Sequence, residues 1–222
     1  MDDLADKVYV VVGASGALGS RIAHRLSDAG ASLTLTVHSG NSPIEGAHTV
    51  TADLREPDSA QQVIDAALEE HGHIDGVVFA AGISAFGPLA EIDDDTVDDL
   101  VLVDFLGPLR VLRAALPVLE SGGVIAGISA VLAEQPVAGM ATYSAVKAAA
   151  SALFLAVAKE ARKSKIRVLD IRPPHTETGL AGRAIAGEAP KMPAGADPDA
   201  VAQRIVDALV GTERELPSSA FS

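Results

Sequence analysis

The sequence predicts an α/β fold, a single domain built on a doubly wound parallel sheet flanked by helices on both faces. Short apolar or β-branched runs alternate along the chain with longer segments of helical periodicity, as in successive strand–helix–strand units. The 222 residues and the hydrophobic content of 48% suit one domain with a sizeable core. No internal repeat or linker divides residues 1–222, so we expect one domain.

The first half of the chain predicts strands at residues 8–12, 33–37, 47–52 and 74–80. A glycine turn at 13–19 opens a helix that extends to residue 29. Another helix begins at Pro57 and places Val63, Ile64, Ala67 and Leu68 on one face. The strand at 74–80 is uniformly apolar, as expected for a strand covered on both faces.

The second half predicts a long helix at 94–119, whose acidic first turn suits the helix dipole. It is followed by a strand at 124–128, a helix from Tyr143 to about residue 163 and a strand at 166–171. A last helix at 198–210 and an edge strand at 216–221 complete the domain.

Charge and composition exclude several classes of partner. The formal net charge of −13 would repel nucleic acid and an anionic membrane surface, so we expect a small-molecule ligand. Without cysteine there is no disulfide framework and no thiolate metal site, and we expect no metal. The acidic start at residues 1–6 is unlike a signal peptide, and no apolar run approaches the roughly 20 residues of a membrane span. These features predict a cytoplasmic protein without a membrane segment.

The ligand site is expected at the carboxyl ends of the strands. In doubly wound sheets, ligands bind at this edge, near the point where the strand order reverses. Small or polar residues follow most of the predicted strands, at Gly13–Gly19, Asp53, Ala80–Gly82, Ser129 and Pro173–Thr178. We therefore expect these turns to share one edge.

Two of these turns are rich in small residues. Gly13, Gly16 and Gly19 lie between a strand and a helix, where glycines permit a tight turn and bring backbone N–H groups close to a phosphate. The residues Ala80–Gly82 let a flat ligand lie against the backbone. A plain βα turn and a tight loop are the respective alternatives.

Tyr143 and Lys147 are the candidate catalytic pair. Residues four apart on a helix project from the same face, so an ammonium is expected beside a phenol. A free phenol has a pKa of about 10, and a neighbouring positive charge lowers it, so the pair can exchange a proton with a substrate oxygen. Tyr143 is one of two tyrosines, and the pair lies directly before the apolar run 148–158. A charge such as that of Lys147 is otherwise unexpected at the start of a buried helix. Two ordinary surface neighbours are the alternative.

On these residues the chain resembles the short-chain dehydrogenase/reductase family, over nearly its whole length. The glycine turn has the G-x-x-G-x-x-G spacing of the family's atypical branch, and Tyr143 and Lys147 match its Y-x-x-x-K pair. The resemblance implies a Rossmann-like fold and an NAD(P)-dependent oxidoreductase that transfers hydride between a nicotinamide and a small carbonyl or alcohol. It also implies that Tyr143 handles the proton of the oxygen, while Lys147 holds the nicotinamide ribose and depresses the pKa of the tyrosine.

The resemblance also assigns the cofactor contacts. Asp53 and Leu54 match the pair that holds the adenine, Phe79–Gly82 corresponds to the family's N-N-A-G with both asparagines replaced, and 173–178 resembles the segment that binds the carboxamide. The expected cofactor-binding residues are Gly13, Ser15, Gly16, Ala17, Leu18, His38, Ser39, Asp53, Leu54, Ala80, Ala81, Gly82, Tyr143, Lys147, Pro173, His175, Thr176 and Thr178.

Two positions depart from the family pattern. The substrate-orienting serine, thirteen positions before the tyrosine, is Ala130 here, and the neighbouring Ser129 replaces it only if a bulge or turn re-aims its side chain. The asparagine of the long helix corresponds to Asp104, which accepts hydrogen bonds from water or Lys147 but cannot donate as an amide does. Ser129 and Asp104 are candidate catalytic residues beside the pair. The departures leave open a slow enzyme, an enzyme that uses a substitute such as His175, and a dinucleotide-binding sensor or regulatory protein without turnover.

The end of the second predicted strand favours NADP as the cofactor, with NAD as the alternative. NAD-preferring members place an acid there, whereas this chain has Thr36-Val37-His38-Ser39. Without an acid, His38 and Ser39 are free to contact a 2′-phosphate, with help from Arg21. A solvated loop histidine is the alternative interpretation of His38.

The apolar helices predict self-association. The Tyr143 helix has no charge from Ala148 to Ala158, and the helix at 94–119 is apolar on more than one face. An apolar patch of that size is seldom left exposed to solvent. We therefore expect a homodimer or homotetramer in which these helices pack against their two-fold copies. The alternative is that one chain covers both helices.

Overall fold

The computed structural model describes residues 4–221, so the acidic start Met1–Asp3 lies outside the described residues. Its parallel strands form one seven-stranded sheet in the order β3-β2-β1-β4-β5-β6-β7. They are β1 (Val8–Val12), β2 (Ser32–Val37), β3 (His48–Thr51), β4 (Gly76–Phe79), β5 (Val124–Ile128), β6 (Arg167–Ile171) and β7 (Glu215–Leu216). The helices are α1 (Ala17–Asp28), α2 (Ser59–His71), α3 (Asp94–Val101), α4 (Gly107–Ala115), α5 (Ala141–Glu160) and α6 (Pro198–Val210). The expected doubly wound α/β fold is confirmed.

The sheet is buried because helices cover both of its faces. β1 and β4 lie side by side within it, and every residue of both strands is buried. On one face, Ile22 of α1 and Ile205 of α6 belong to one core. On the other face, Ile64 of α2, Leu112 of α4 and Phe154 of α5 belong to a second core. The strand order reverses between β1 and β4, which opens a crevice at their carboxyl ends.

The helix expected at 94–119 is interrupted in its middle. A single π-helical turn at Leu102–Leu106 separates α3 from α4. Pro108 supplies the physical reason, because it has no N–H for the carbonyl of Asp104 and its ring would crowd that carbonyl. The backbone widens instead, and the Gly107 N–H donates to the carbonyl of Leu102. Asp104 therefore lies inside the π turn.

The two largest errors in the expected boundaries both lie beside a proline. The edge strand expected at 216–221 is Glu215–Leu216, because Pro217 cannot donate to a strand ladder and the chain turns into a 3-10 helix at Ser218–Phe221. The long helix ends at Ala115 rather than at residue 119, just ahead of Pro117.

The helix α5 carries the candidate catalytic pair and leaves one apolar face uncovered. With the turn that follows it, Ala141–Ser164 has the length and hydropathy of a membrane span, so the expectation that no segment approaches one was wrong. The inner side of α5 packs into the core through Ala150 and Phe154. The outer side exposes Ala145, Ala152 and Leu155. This packing is that of a core helix whose outer face the described part of the chain does not cover.

Candidate active site

The turns at the carboxyl edge of the sheet line one cleft of about 790 Å³. All of the expected cofactor-binding residues line it except Ser39, which is exposed beside His38. Of the expected catalytic residues, Tyr143, Lys147 and Ser129 line the cleft, whereas Asp104 does not. The expectation that these turns share one edge is confirmed.

The glycine turn is shaped for a close approach of backbone and ligand. Gly13 has a φ of +86°, and a Cβ there would lie 2.6 Å from the backbone of Ala81. The Gly13 N–H donates to the Thr36 hydroxyl at 2.9 Å, which ties the turn to β2. α1 then begins at Ala17, and no side chain caps its first N–H groups. Uncapped donors at a helix N-terminus are suited to a phosphate.

The end of the cleft beside β2 and β3 is polar. The Arg55 backbone N–H donates to Asp53 at 3.0 Å. That hydrogen bond lowers the pKa of Asp53, and the charges of Arg55 and His38 add to the effect. His38 Nε2 lies 3.5 Å from Asp53 Oδ2, and 63% of the His38 side chain is exposed. The Arg55 guanidinium is held by Asp99 at 2.6 and 3.0 Å. His38 is therefore the basic side chain here that is mostly open to solvent.

Tyr143 and Lys147 lie on one face of α5 and are buried at the wall of the cleft. The Lys147 Nζ is 5.7 Å from the centroid of the Tyr143 ring. Burial raises the pKa of the Tyr143 phenol, the Lys147 ammonium lowers it, and the Asp104 carboxylate raises it. Lys147 therefore lowers the pKa of the phenol as expected, but the resulting pKa lies above its ordinary value. The physical reason is that burial outweighs the ammonium.

Asp104 is the partner of Lys147. The Nζ donates to Asp104 Oδ1 at 3.3 Å, and the two side chains are only 6% and 0% exposed. The backbone N–H of Ile83 donates to the same oxygen at 3.2 Å. Burial lowers the pKa of Lys147, but the Asp104 carboxylate and the Tyr143 phenol raise it above its ordinary value. Lys147 is therefore an ammonium at neutral pH.

Ser129 and Ala130 point to opposite faces at the end of β5. The Ser129 N–H continues the ladder by donating to Ile171 at 2.8 Å, and Ala130 has an extended backbone, so no bulge re-aims Ser129. The Ser129 hydroxyl donates to Asp170 at 2.6 Å. Ala130 instead packs against the apolar cluster that contains Tyr143. The position that faces the tyrosine thus carries a methyl group.

An apolar chamber surrounds Tyr143, with walls of Phe86, Leu132, Met140 and Leu180. The segment from residue 174 to 197, the covering segment, lines the chamber. An isolated bridge at Ala85–Ala186 anchors it to the loop after β4, and a second bridge at Thr176–Ala196 joins its two ends. This half of the cleft is suited to a small, largely apolar substrate beside the phenol.

His175 belongs to the covering segment and lines the cleft. Its Nε2 lies 3.6 Å from Glu177 Oε1, and Glu177 also accepts the Gly195 N–H at 2.7 Å. The ring therefore has an acidic neighbour that is itself held by the covering segment. His175 is therefore one of the polar groups that the covering segment contributes to the cleft.

Sequence reasoning missed part of the lining and misjudged one residue. Arg55 directly follows Asp53-Leu54, and that position was the available signal for it. The chamber residues such as Met140 come from loops without a motif, so only tertiary structure brings them together. Arg21, expected beside the 2′-phosphate, pairs with Asp199 of α6 at 3.0 Å and does not line the cleft.

Comparisons with known proteins agree with this geometry. The family model for short chain dehydrogenases matches residues 7–189. An uncharacterized oxidoreductase of Staphylococcus epidermidis is 32% identical over 95% of this chain and 92% of its own length. Ipsdienol dehydrogenase of Ips pini is 30% identical over 83% of this chain and 80% of its own length. The crystal structure of a short chain dehydrogenase from Burkholderia cenocepacia in complex with NADP matches with a TM-score of 0.84 and 25% identity, over 100% of both chains.

Proposed function

The chain belongs to the short-chain dehydrogenase/reductase family, and on that premise we propose that it is an NADP-dependent oxidoreductase acting on a small carbonyl or alcohol. The observation that carries the proposal is the buried Tyr143–Lys147 pair in a cleft that the glycine turn also lines. The residues fit a dinucleotide, since Gly13 allows close approach and α1 has an uncapped N-terminus. The cofactor would supply or accept the hydride at the substrate carbon.

The residues of this protein would bind the cofactor, orient the substrate and transfer the proton. The first N–H groups of α1 would hold the pyrophosphate, Asp53 and Leu54 would hold the adenine, and the segment 173–178 would hold the carboxamide. Lys147 would hold a ribose hydroxyl with its ammonium. Tyr143 would give its phenol proton to a carbonyl oxygen or take a proton from an alcohol. The apolar chamber around it would exclude water from the transfer.

The test is turnover with NADPH and a panel of aldehydes, ketones and quinones. Tyr143→Phe removes only the phenol oxygen, so we expect kcat/KM to fall by at least about a hundredfold while the fold is kept. Tyr9→Phe is the matched control, because Tyr9 lies in β1 and does not line the cleft. Equal rates for Tyr143→Phe and wild type would overturn the mechanism.

NADP is the proposed cofactor because His38 and Ser39, rather than an acid, directly follow the end of β2. Asp53, the acid nearest to His38, is bound to Arg55. The Burkholderia relative was crystallised in complex with NADP. His38→Ala should weaken NADPH binding relative to NADH by about tenfold, the value of one charge-assisted hydrogen bond. Nicotinamide fluorescence titrations measure both affinities, and a wild type that prefers NADH would contradict the proposal.

A second candidate function is dinucleotide binding without turnover, as in a sensor or regulatory protein. The extended backbone at Ala130 and the bond from Ser129 to Asp170 favour it, because the family's oxygen-polarising donor is lost at both positions. Ala130→Ser places a hydroxyl on the side of Tyr143 and should create or raise turnover by about a hundredfold. Brisk turnover by the wild type would exclude this second function.

We also propose that the chain is a cytoplasmic homodimer or homotetramer that binds neither nucleic acid nor membrane. The supporting observation is the uncovered apolar face of α5, which includes Ala145, Ala152 and Leu155. A two-fold copy of the same face would cover it. Light scattering should give an oligomer for the wild type and a monomer for Ala152→Arg, and a monomeric wild type would contradict the proposal.

A further inference from the structure

Asp104 is a buried carboxylate placed directly behind the proposed catalytic pair. The π turn made necessary by Pro108 turns its side chain inward, where Oδ1 accepts from Lys147 and from the Ile83 N–H. A Cβ at Gly82 would lie 3.0 Å from Asp104 Oδ1 and 3.2 Å from Lys147 Nζ. The glycine therefore leaves room for this contact.

The other oxygen of this carboxylate is also buried. Asp104 Oδ2 has no hydrogen-bond partner among residues 4–221. An unsatisfied buried carboxylate oxygen lowers stability, and native structures contain few of them. The amide of an asparagine would place a donor at one of these two positions and carry no charge. The distinctive property of Asp104 is thus a carboxyl that can carry a negative charge beside the lysine; burial raises its pKa, and the Lys147 ammonium lowers it.

That charge acts on Tyr143 as well as on Lys147. Lys147 and Asp104 are the two charged groups that shift the pKa of the Tyr143 phenol; Lys147 lowers it and Asp104 raises it. Other charged side chains on elements around α5 and the cleft are paired with other groups or belong to the cleft lining. They are Glu134, which pairs with Arg172, Asp99, which pairs with Arg55, and the cleft residues His175, Arg183 and Lys191.

We propose that Asp104 is a positioning residue that holds the Lys147 ammonium and balances its charge, so that Tyr143 stays a phenol and the site favours carbonyl reduction over alcohol oxidation. This inference rests on the proposed function. In reduction, the carbonyl carbon accepts hydride from the nicotinamide and the oxygen accepts the Tyr143 proton, after which the phenolate regains a proton from water. Alcohol oxidation begins with Tyr143 as a phenolate. A lysine whose charge is offset by Asp104 stabilises that phenolate less.

The titration of Tyr143 can be measured without cofactor or substrate. The chain has two tyrosines and no tryptophan, so Tyr9→Phe leaves Tyr143 as the one phenol that absorbs as phenolate in the near ultraviolet. In that background we expect Asp104→Asn to move the titration midpoint to lower pH and Lys147→Met to move it to higher pH. The double variant Tyr9→Phe/Tyr143→Phe supplies the baseline.

A merely structural role for Asp104 would leave this midpoint unchanged, and an unchanged or higher midpoint in Asp104→Asn overturns the proposal. If the asparagine variant does not fold, Asp104→Ser removes the same charge with a smaller side chain. In the active protein, alcohol oxidation at pH 7 by Asp104→Asn should rise about tenfold for each unit that the midpoint falls. A protein that turns over no carbonyl would refute the proposed function and leave the titration result standing.

Discussion

Two buried carboxylates contact the same face of α5, one turn apart, and they are held in opposite ways. Asp170 accepts the hydroxyls of Ser129 and Ser151 and the guanidinium of Arg172, so both of its oxygens are satisfied. Asp104 has one oxygen bonded and one without a partner in the described part of the chain. A fully bonded carboxylate is typical of a structural cluster, whereas an incompletely bonded one beside a reactive group is typical of a functional site.

The positively charged partners of the two carboxylates also differ in how many hydrogen bonds they make. Arg172 also bonds Glu134 and Glu215, at 2.5 and 2.9 Å, which joins the end of β6 to two other segments of the chain. Burial lowers the pKa of Arg172, but these glutamates and Asp170 raise it above its ordinary value. Of the residues that the structure describes, Lys147 pairs with one carboxylate, that of Asp104. The Arg172 cluster therefore stabilises the fold, whereas the Lys147 ammonium lies at the wall of the cleft beside Tyr143.

The largest expected effect on stability belongs to Asp170→Ala. It leaves three donors without their acceptor in a buried place, so the free energy of unfolding should fall by about 3–5 kcal/mol in urea denaturation. Asp65→Ala is the control, because Asp65 is exposed on α2 and should change stability by less than about 0.5 kcal/mol. If Asp170→Ala lowered the free energy of unfolding no more than the control does, the cluster would be dispensable. The contrast between a structural Asp170 and a functional Asp104 would then be lost.

Lys147→Met should produce a pH-dependent loss of stability. Burial raises the pKa of Asp104 above its ordinary 3.8, and loss of the ammonium raises it further. A carboxyl with a raised folded-state pKa favours the folded state below its unfolded pKa, and this contribution disappears as pH rises through the folded value. The deficit relative to wild type should be small near pH 4 and reach about 1–3 kcal/mol at pH 7. A deficit that does not vary with pH would mean that Asp104 is not the cause.

The smallest effects are expected for the two serines of the Asp170 cluster. Ser129→Ala and Ser151→Ala each remove one donor from a satisfied carboxylate, so each should lower the free energy of unfolding by about 1–2 kcal/mol. Ser129→Ala should also change turnover no more than Ser151→Ala does. If Ser129 polarised the substrate oxygen, its removal would slow turnover by about a hundredfold and Ser151→Ala would not.

The sequence by itself determined the features that depend on local spacing. Alternating periodicity predicted the parallel sheet, and the positions of the turns predicted that one edge would carry the cleft. The four-residue spacing of Tyr143 and Lys147 placed them on one helix face because a helical turn has a fixed pitch. Strand alternation likewise predicted that Ser129 and Ala130 face opposite ways.

Tertiary structure alone decided how each charge is balanced. Asp104 and Lys147 are far apart in sequence, and their contact depends on the π turn at Pro108 and on how α5 packs against it. The net direction of the Tyr143 pKa shift depends on burial, which spacing along one helix does not contain. The partners of Asp170 come from β5, α5 and the end of β6, and Arg21 turned to α6 rather than to the cleft. Desolvation and long-range pairing are properties of the packed molecule, so a local pattern identifies the residues but not the balance between them.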